Sequence, residues 1–197
     1  MTSLLPDEQD ALDMARLADG CDAALNHLME RHSERLFHYL VRSLQDEADA
    51  ADLAQETFVK VYQHRATFDR RQKFLTWLYA IASNLVRDRF RWRARHPQVS
   101  LNAESSPGRN DLHETWPDGR PTPSELLEAD ERAATVRRAI AALPEELRLP
   151  LILAEYEERS QAEISQILDC SVKAVEMRLY RARQQLRFTL GKLLEPV

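Results

Sequence analysis

The chain has 197 residues, 44% of them hydrophobic, 30% charged and 7% aromatic, with a formal net charge of −5. That length allows one domain or two small ones, the apolar content is too high for a wholly disordered chain, and four glycines are too few for the turns of an all-β protein. No apolar run approaches the roughly 18 residues of a membrane span, and the opening MTSLLPDEQD lacks the basic and apolar parts of a secretory signal, so the expectation is a soluble, cytoplasmic, all-α protein.

Residues 7–18 predict a short acidic helix, stopped at Asp19-Gly20. Asp22 is placed to cap a second helix, in which Leu25, Leu28, Leu36, Leu40 and Leu44 recur at helical spacing. A third helix spans 47–65, with Ala51, Ala54, Phe58 and Val61 on one face. A loop over 66–73 leads to a fourth, which places Phe74, Trp77, Leu78, Ile81 and Leu85 inward and runs on, polar and basic, to Arg95. Between Pro97 and Pro123 the apolar period disappears. Five of the nine prolines and two of the four glycines fall there, which predicts a linker. Fully extended it reaches about 90 Å. A fifth helix starts near Ser124 and ends at Leu143-Pro144. A sixth covers 145–156, where Pro150 predicts a kink or a break. Ser160-Gln161-Ala162-Glu163 is a capping box for a seventh, ending near Leu168. Asp169-Cys170-Ser171 makes a turn, and Ser171 caps a last helix to about Leu190. The organisation read from this is a helical domain over 1–96, a linker over 97–123 and a second helical domain over 124–197.

The negative total charge averages unlike segments. Residues 27–96 hold thirteen bases against nine acids, whereas residues 1–26 hold one base against six acids. Nucleic-acid binding follows local charge. Three constellations stand out. The short capped helix, turn and longer basic helix at the end are the parts of a helix-turn-helix. There Val172, Val175, Leu179, Ala182 and Leu186 form an inward stripe, and Lys173, Met177, Tyr180, Arg181 and Gln184 point away from it. A solvated basic face is the alternative. The second constellation is Arg87, Arg89, Arg91, Arg93 and Arg95 around Phe90 and Trp92, opposed only by Asp88 along the sequence. Eight of the fourteen aromatics lie between Phe58 and Trp92. They suit a separated DNA strand if exposed beside cations, and a core if not. The third is the acidic run Asp46, Glu47, Asp49, Asp52 and Glu56. The helix macrodipole accounts for the first three. Asp52, Gln55 and Glu56 share a flank one to two turns further in, which points to a docking surface.

Catalytic chemistry finds little support, and neither cofactor nor metal is expected. The six histidines show no metal-ligand spacing, and neither Cys21 nor Cys170 belongs to a CxxC. The cysteines read as small buried hydrophobes, and His27, His32 and His38 as partly exposed helix residues. No phosphate loop or dinucleotide fingerprint is present.

These residues resemble the bacterial sigma-70 family, specifically its extracytoplasmic-function (ECF) group. Asp49-Ala50-Ala51-Asp52-Leu53-Ala54-Gln55-Glu56-Thr57-Phe58 is similar to the DAEDLxQETF segment that docks on the β′ clamp helices of RNA polymerase. Phe74-Leu75-Thr76-Trp77-Leu78-Tyr79-Ala80-Ile81-Ala82-Ser83-Asn84-Leu85, then Asp88-Arg89, resembles the segment that melts and reads the −10 element. Leu143-Pro144-Glu145 and Arg178-Leu179-Tyr180-Arg181-Ala182-Arg183 resemble signatures of the domain that reads the −35 element. The chain departs from the pattern at Ala51, where an acid is usual, and at Lys173-Ala174-Val175-Glu176-Met177-Arg178, where many members carry Gly-Thr-Val-Lys-Ser-Arg.

The resemblance implies an RNA polymerase sigma factor with no catalysis of its own. Asp49, Asp52, Gln55 and Glu56 would bind the core polymerase. Phe68, Arg70, Arg71, Lys73, Trp77, Asn84, Arg87 and Arg91 would hold the −10 strand. Ser171, Lys173, Ala174, Met177, Arg178 and Arg181 would face −35 DNA. The implied partners are core RNA polymerase (β′ clamp helices and β flap), promoter DNA and an anti-sigma factor, with no small-molecule substrate. Two other readings of the residues stand beside this one: a free-standing helix-turn-helix regulator, and a protein adaptor without a DNA role.

Overall fold

The computed structural model describes residues 6–96 and 123–194. Among them all regular structure is helical: α1 (Pro6–Ala18), α2 (Ala23–Leu44), α3 (Glu47–Gln63), a 3-10 turn (Arg65–Thr67), α4 (Phe74–Arg95), α5 (Pro123–Ala141), α6 (Glu145–Glu155), α7 (Gln161–Ile167) and α8 (Val172–Leu194). The predicted linker, apart from its last residue, lies outside the described residues.

Local chemistry sets most boundaries. Gly20 (φ +92°) turns the chain after α1, a conformation that a Cβ would strain. Asp46 caps α3 by accepting from the Asp49 amide at 3.0 Å. Ser160 and Glu163 form the reciprocal box at α7, and Ser171 Oγ accepts from the Ala174 amide at 3.1 Å. Asp22 precedes α2 but makes no side-chain cap, because its backbone is already helical (φ −61°, ψ −27°).

Helices α1–α4 form the first lobe. Leu28, Leu36, Leu40 and Leu44 of α2 pack with Leu53, Phe58 and Val61 of α3 and Phe74, Leu78 and Leu85 of α4. The buried stripe of α3 runs through Ala50, Leu53, Thr57 and Val61, so Ala51 and Ala54 sit at its edge rather than in it. Trp77 and Ile81 are half-buried, and Tyr79 and Ala82 take the inner positions. Tyr39 is fully buried with its hydroxyl 2.8 Å from Ser83 Oγ, and burial pushes that phenol up to about 12.

Helices α5–α8 form the second lobe. Ile140, Leu143, Ile164, Ile167, Val175, Leu179 and Ala182 surround α6, whose Leu147, Leu149, Leu151, Ile152 and Leu153 are all buried. A helix apolar on every side needs cover on every side; α6 meets α7 and α8 on one flank and α2 of the first lobe on the other. Pro150 leaves the helix unbroken. It lies buried among those leucines, and apolar packing offsets the hydrogen bond it cannot make. Arg148 fills the junction, donating to the Ala141 and Leu143 carbonyls at the end of α5 and to the Ser43 carbonyl of α2 at 2.8 Å. Val172 is exposed, since it opens α8 ahead of the turn that reaches the core. Both cysteines are free: Cys21 is exposed after the Gly20 turn, and Cys170 is half-buried with its sulfur 3.6 Å from Arg178.

Helix α1 is held by buried charge. Asp10 and Asp13 are almost fully buried against α2. Arg31 donates to Asp10 at 3.0 Å and to Asp13 at 2.7 Å, and His32 Nε2 lies 2.8 Å from Asp10 Oδ2. His32 is therefore buried, not partly exposed, because it supplies one of the partners that a carboxylate out of water needs. Burial alone would raise the Asp13 carboxyl, but hydrogen bonds from Arg31 and Gln9, with the Arg31 charge, hold it below its ordinary value of 3.8. A depressed native pKa makes the unfolded chain the better proton acceptor. The stability from Asp13 is complete above the ordinary carboxylate range and is lost as pH falls through it. Urea midpoints measured from about pH 6 to about pH 3 should fall more steeply for the wild type than for Asp13→Asn; parallel profiles would remove Asp13 from this account.

Candidate nucleic-acid and protein interfaces

The acidic flank of α3 divides in two. Asp52, Gln55 and Glu56 are exposed along one side, with Lys60 3.7 Å from Glu56 one turn on. Asp49 faces the other way, half-buried, and accepts from both Arg89 and Arg93 of α4. Arg93 also reaches Asp46 at 3.2 Å. The structure thus brings Asp52, Gln55 and Glu56 together and spends Asp49 on stapling α3 to α4. Leu53, Glu56, Lys60, Leu85, Arg89 and Trp92 line an open groove between these helices.

The same staple changes the basic run. Two of its five arginines, Arg89 and Arg93, are neutralised by acids forty or more residues away, and Arg91 pairs with Asp88. Arg95 reaches only the Arg91 carbonyl, at 3.3 Å, among the described residues. Trp92 is exposed and stacked on His96 with centroids 4.9 Å apart, while Phe90 lies under the Arg148 guanidinium at 5.5 Å.

At the other end of α4, Phe68 packs on Trp77 at 5.0 Å and edge-on to Phe74 at 6.3 Å. This half-buried stack fixes the loop before α4. Asp69 accepts from the Arg71 amide at 3.0 Å and from its guanidinium at 2.7 Å, and these bonds hold the Asp69 carboxyl near 2. Arg70 and Arg71 are exposed, as is Asn84, whose Oδ1 accepts from Arg87 at 3.3 Å. Lys73 and Arg87 have partners in the second lobe: Lys73 Nζ lies 3.1 Å from Glu163, and Arg87 donates to the Leu168 carbonyl at 2.9 Å.

In the second lobe α7, the turn and α8 make a helix-turn-helix. Lys173, Met177 and Arg181 are exposed on one face. Lys173 is 2.9 Å from Glu176, so that acid partly neutralises the cation beside it. Ser171 sits at the start of the helix with its hydroxyl oxygen used by the cap, and Ala174 is half-buried. Arg178 turns back toward Cys170 and lines a cleft with Arg87, Glu145, Glu146 and Asp169. Tyr180 and Gln184 complete the outward face, joined by a 2.6 Å bond; their spacing from Met177 and Arg181 already places them there. Glu163, which closes the α7 box, has its carboxyl lowered to about 2: burial alone would raise it, but the Ser160 bonds and Lys73 prevail. Among the described residues no cluster of histidine, cysteine and carboxylate could hold a metal, and no helix is long and apolar enough to cross a membrane.

A compact helical lobe with an acidic flank and a cationic helix, followed by a helix-turn-helix lobe, defines the class of two-module helical proteins. Comparison gives the family. The Sigma-70 region 2 model matches residues 28–96, and the Sigma-70, region 4 model matches residues 133–186. The chain is 33% identical to the RNA polymerase sigma-H factor of Pseudomonas aeruginosa over 97% of its own length and 98% of that protein. It is 32% identical to the ECF RNA polymerase sigma factor SigW of Bacillus subtilis, covering 88% and 92%. The solved structure of CnrH in complex with the cytosolic domain of CnrY superposes with a TM-score of 0.68 at 27% identity, covering 93% and 98%. The sigma factor RpoE of Bartonella quintana, solved with the anti-sigma factor NepR, shares the fold at a TM-score of 0.64 and 20% identity, covering 87% and 98%. The chain belongs to the sigma-70 family, in its ECF group.

The staple is testable apart from any function. Asp49→Ala frees two arginines from charge-assisted bonds worth about 1.5–3 kcal/mol, and thermal unfolding should register a loss of that order. Asp52→Ala, on the exposed flank, should stay within about 0.5 kcal/mol.

Proposed function

We propose that this protein binds core RNA polymerase in the bacterial cytoplasm and directs it to specific promoters, performing no catalysis itself. The observation that carries this reading is the order of the two family segments on one chain that spans 98% of a sigma factor 33% identical to it. Region 2, residues 28–96, contacts the β′ clamp helices through Asp52, Gln55 and Glu56. Asp49 belongs to the same patch as a positioning residue, since it holds the basic end of α4 beside that flank. Phe68, Arg70, Arg71, Lys73, Trp77, Asn84, Arg87 and Arg91 hold the melted −10 strand: the aromatic stack supplies a platform for bases and the cations meet phosphates. Region 4, residues 133–186, meets the β flap and reads the −35 element with Ser171, Lys173, Ala174, Met177, Arg178 and Arg181. An anti-sigma factor that covers these surfaces is part of the same proposal, supported by neighbours of this fold solved with protein partners.

Run-off transcription with purified core polymerase and genomic promoter fragments tests the whole reading. Specific transcripts should appear only when the protein is added; absence of both transcripts and core binding would overturn it. Asp52→Ala combined with Glu56→Ala should weaken core binding about tenfold while leaving the circular dichroism spectrum intact. Arg181→Ala leaves one phosphate without its cation and should reduce the salt slope of promoter binding by about 0.9; an unchanged slope would place that side chain off the DNA.

A further inference from the structure

The second turn of α8 presents apolar groups on the side that faces outward. Met177 is 40% exposed, and Tyr180, three residues on, is 56% exposed. They stand opposite Val175, Leu179 and Ala182, which are buried, and they line one surface cleft. Hydrogen-bonding groups near them are committed elsewhere. Lys173 Nζ lies 2.9 Å from Glu176, Arg183 donates to Glu155 at 2.7 Å, and the Arg178 guanidinium reaches back to the Cys170 sulfur. The Tyr180 hydroxyl accepts from Gln184 at 2.6 Å, so the polar end of that ring is already bonded. What this turn offers a partner is a flexible thioether chain beside an aromatic ring.

A helix of this kind lies in the major groove with its outward face on the base edges. Those edges carry hydrogen-bond donors and acceptors and one kind of apolar group, the C5-methyl of thymine. We propose that Met177, with Tyr180 beside it, is a specificity-determining residue that reads a thymine of the −35 element through its methyl group. The inference rests on the functional reading above, in which Tyr180 has no assigned role. The contact is apolar: the thioether and the ring cover the methyl, and all three leave water together. Cytosine at the same place has no methyl and presents an amine, which Met177 would leave dry and without an acceptor. No charge takes part, so the preference does not depend on salt. Arg181, the neighbouring cation, keeps the phosphate role tested above.

The test uses the full-length protein assembled with purified core polymerase, on a promoter whose start site run-off transcription defines. Each thymine of the −35 element, on either strand, is replaced singly by deoxyuridine, which removes only the methyl. At one thymine the replacement should weaken binding about fourfold, the worth of one methyl-sized apolar group taken from water. Met177→Ala should bind the thymine and deoxyuridine duplexes equally at that position, and Tyr180→Ala should narrow the difference. Both variants should keep the wild-type salt slope, unlike Arg181→Ala, and the wild-type melting temperature, since both side chains are exposed. A −35 element without thymine, a wild type indifferent to every deoxyuridine, or a penalty that survives in Met177→Ala would each overturn the proposal. So would weaker core binding by Met177→Ala without DNA, which would make the patch a protein contact. If no promoter is bound or transcribed, the functional reading falls and the base reading falls with it; promoter binding with no methyl effect removes the base reading alone.

Discussion

A carboxylate taken out of water must meet a cation or several donors, and that requirement decides how the helices of this protein meet. It acts at three seams. Asp10 and Asp13 tie α1 to Arg31 and His32 of α2. Half-buried Asp49, with the more exposed Asp46 beside it, ties α3 to Arg89 and Arg93 of α4. Glu157 ties region 4 to Arg35 and Tyr79 of region 2. Apolar burial drives helices together without choosing a register. The acids at these seams favour the register that puts their partners within reach.

The same pairing explains how an acidic chain presents cations to DNA. Much of the arginine run on α4 is matched by carboxylates from α3, and Arg183 on α8 is matched by Glu155 at 2.7 Å. Among the described residues, what remains outward without a carboxylate partner is sparse: Arg70 and Arg95 in the first lobe, and Arg137, Arg138, Arg181 and Arg187 in the second, while Arg71 and Lys173 are exposed but paired with Asp69 and Glu176. Long-range attraction to any duplex is weak with so few uncompensated charges. Discrimination then falls to the few side chains held in place, which suits a subunit that borrows affinity from a larger enzyme.

Local rules were enough for the helices, and contacts across the chain were not. The α7 capping box and the Ser171 cap each depend on atoms three residues apart, and both were legible. So was the outward face of α8, since a period of 3.6 fixes it. Phe58 and Val61 of α3 are buried as their spacing indicates, but the first half of the stripe runs through Ala50 and Leu53 instead, because Ala50, Ala51 and Ala54 carry almost no hydrophobic contrast. His32 read as partly exposed because its partner, Asp10, lies 22 residues away. Pro150 read as a kink or a break because nothing in its local sequence shows the apolar cover it finds inside the fold. Glu157 offered no local signal, since it meets Tyr79 and Arg35 across 78 and 122 residues. Spacing set Asp49 apart from Asp52, Gln55 and Glu56 but could not name its partners, because the arginines that claim it belong to another helix.

Glu163 serves two elements with one carboxylate: it closes the box at the start of α7 and meets Lys73 of region 2. Losing Lys73 leaves the bonds to Ser160 in place. The first turn of α7 is therefore fastened by groups of its own helix and does not depend on the neighbouring lobe for its cap.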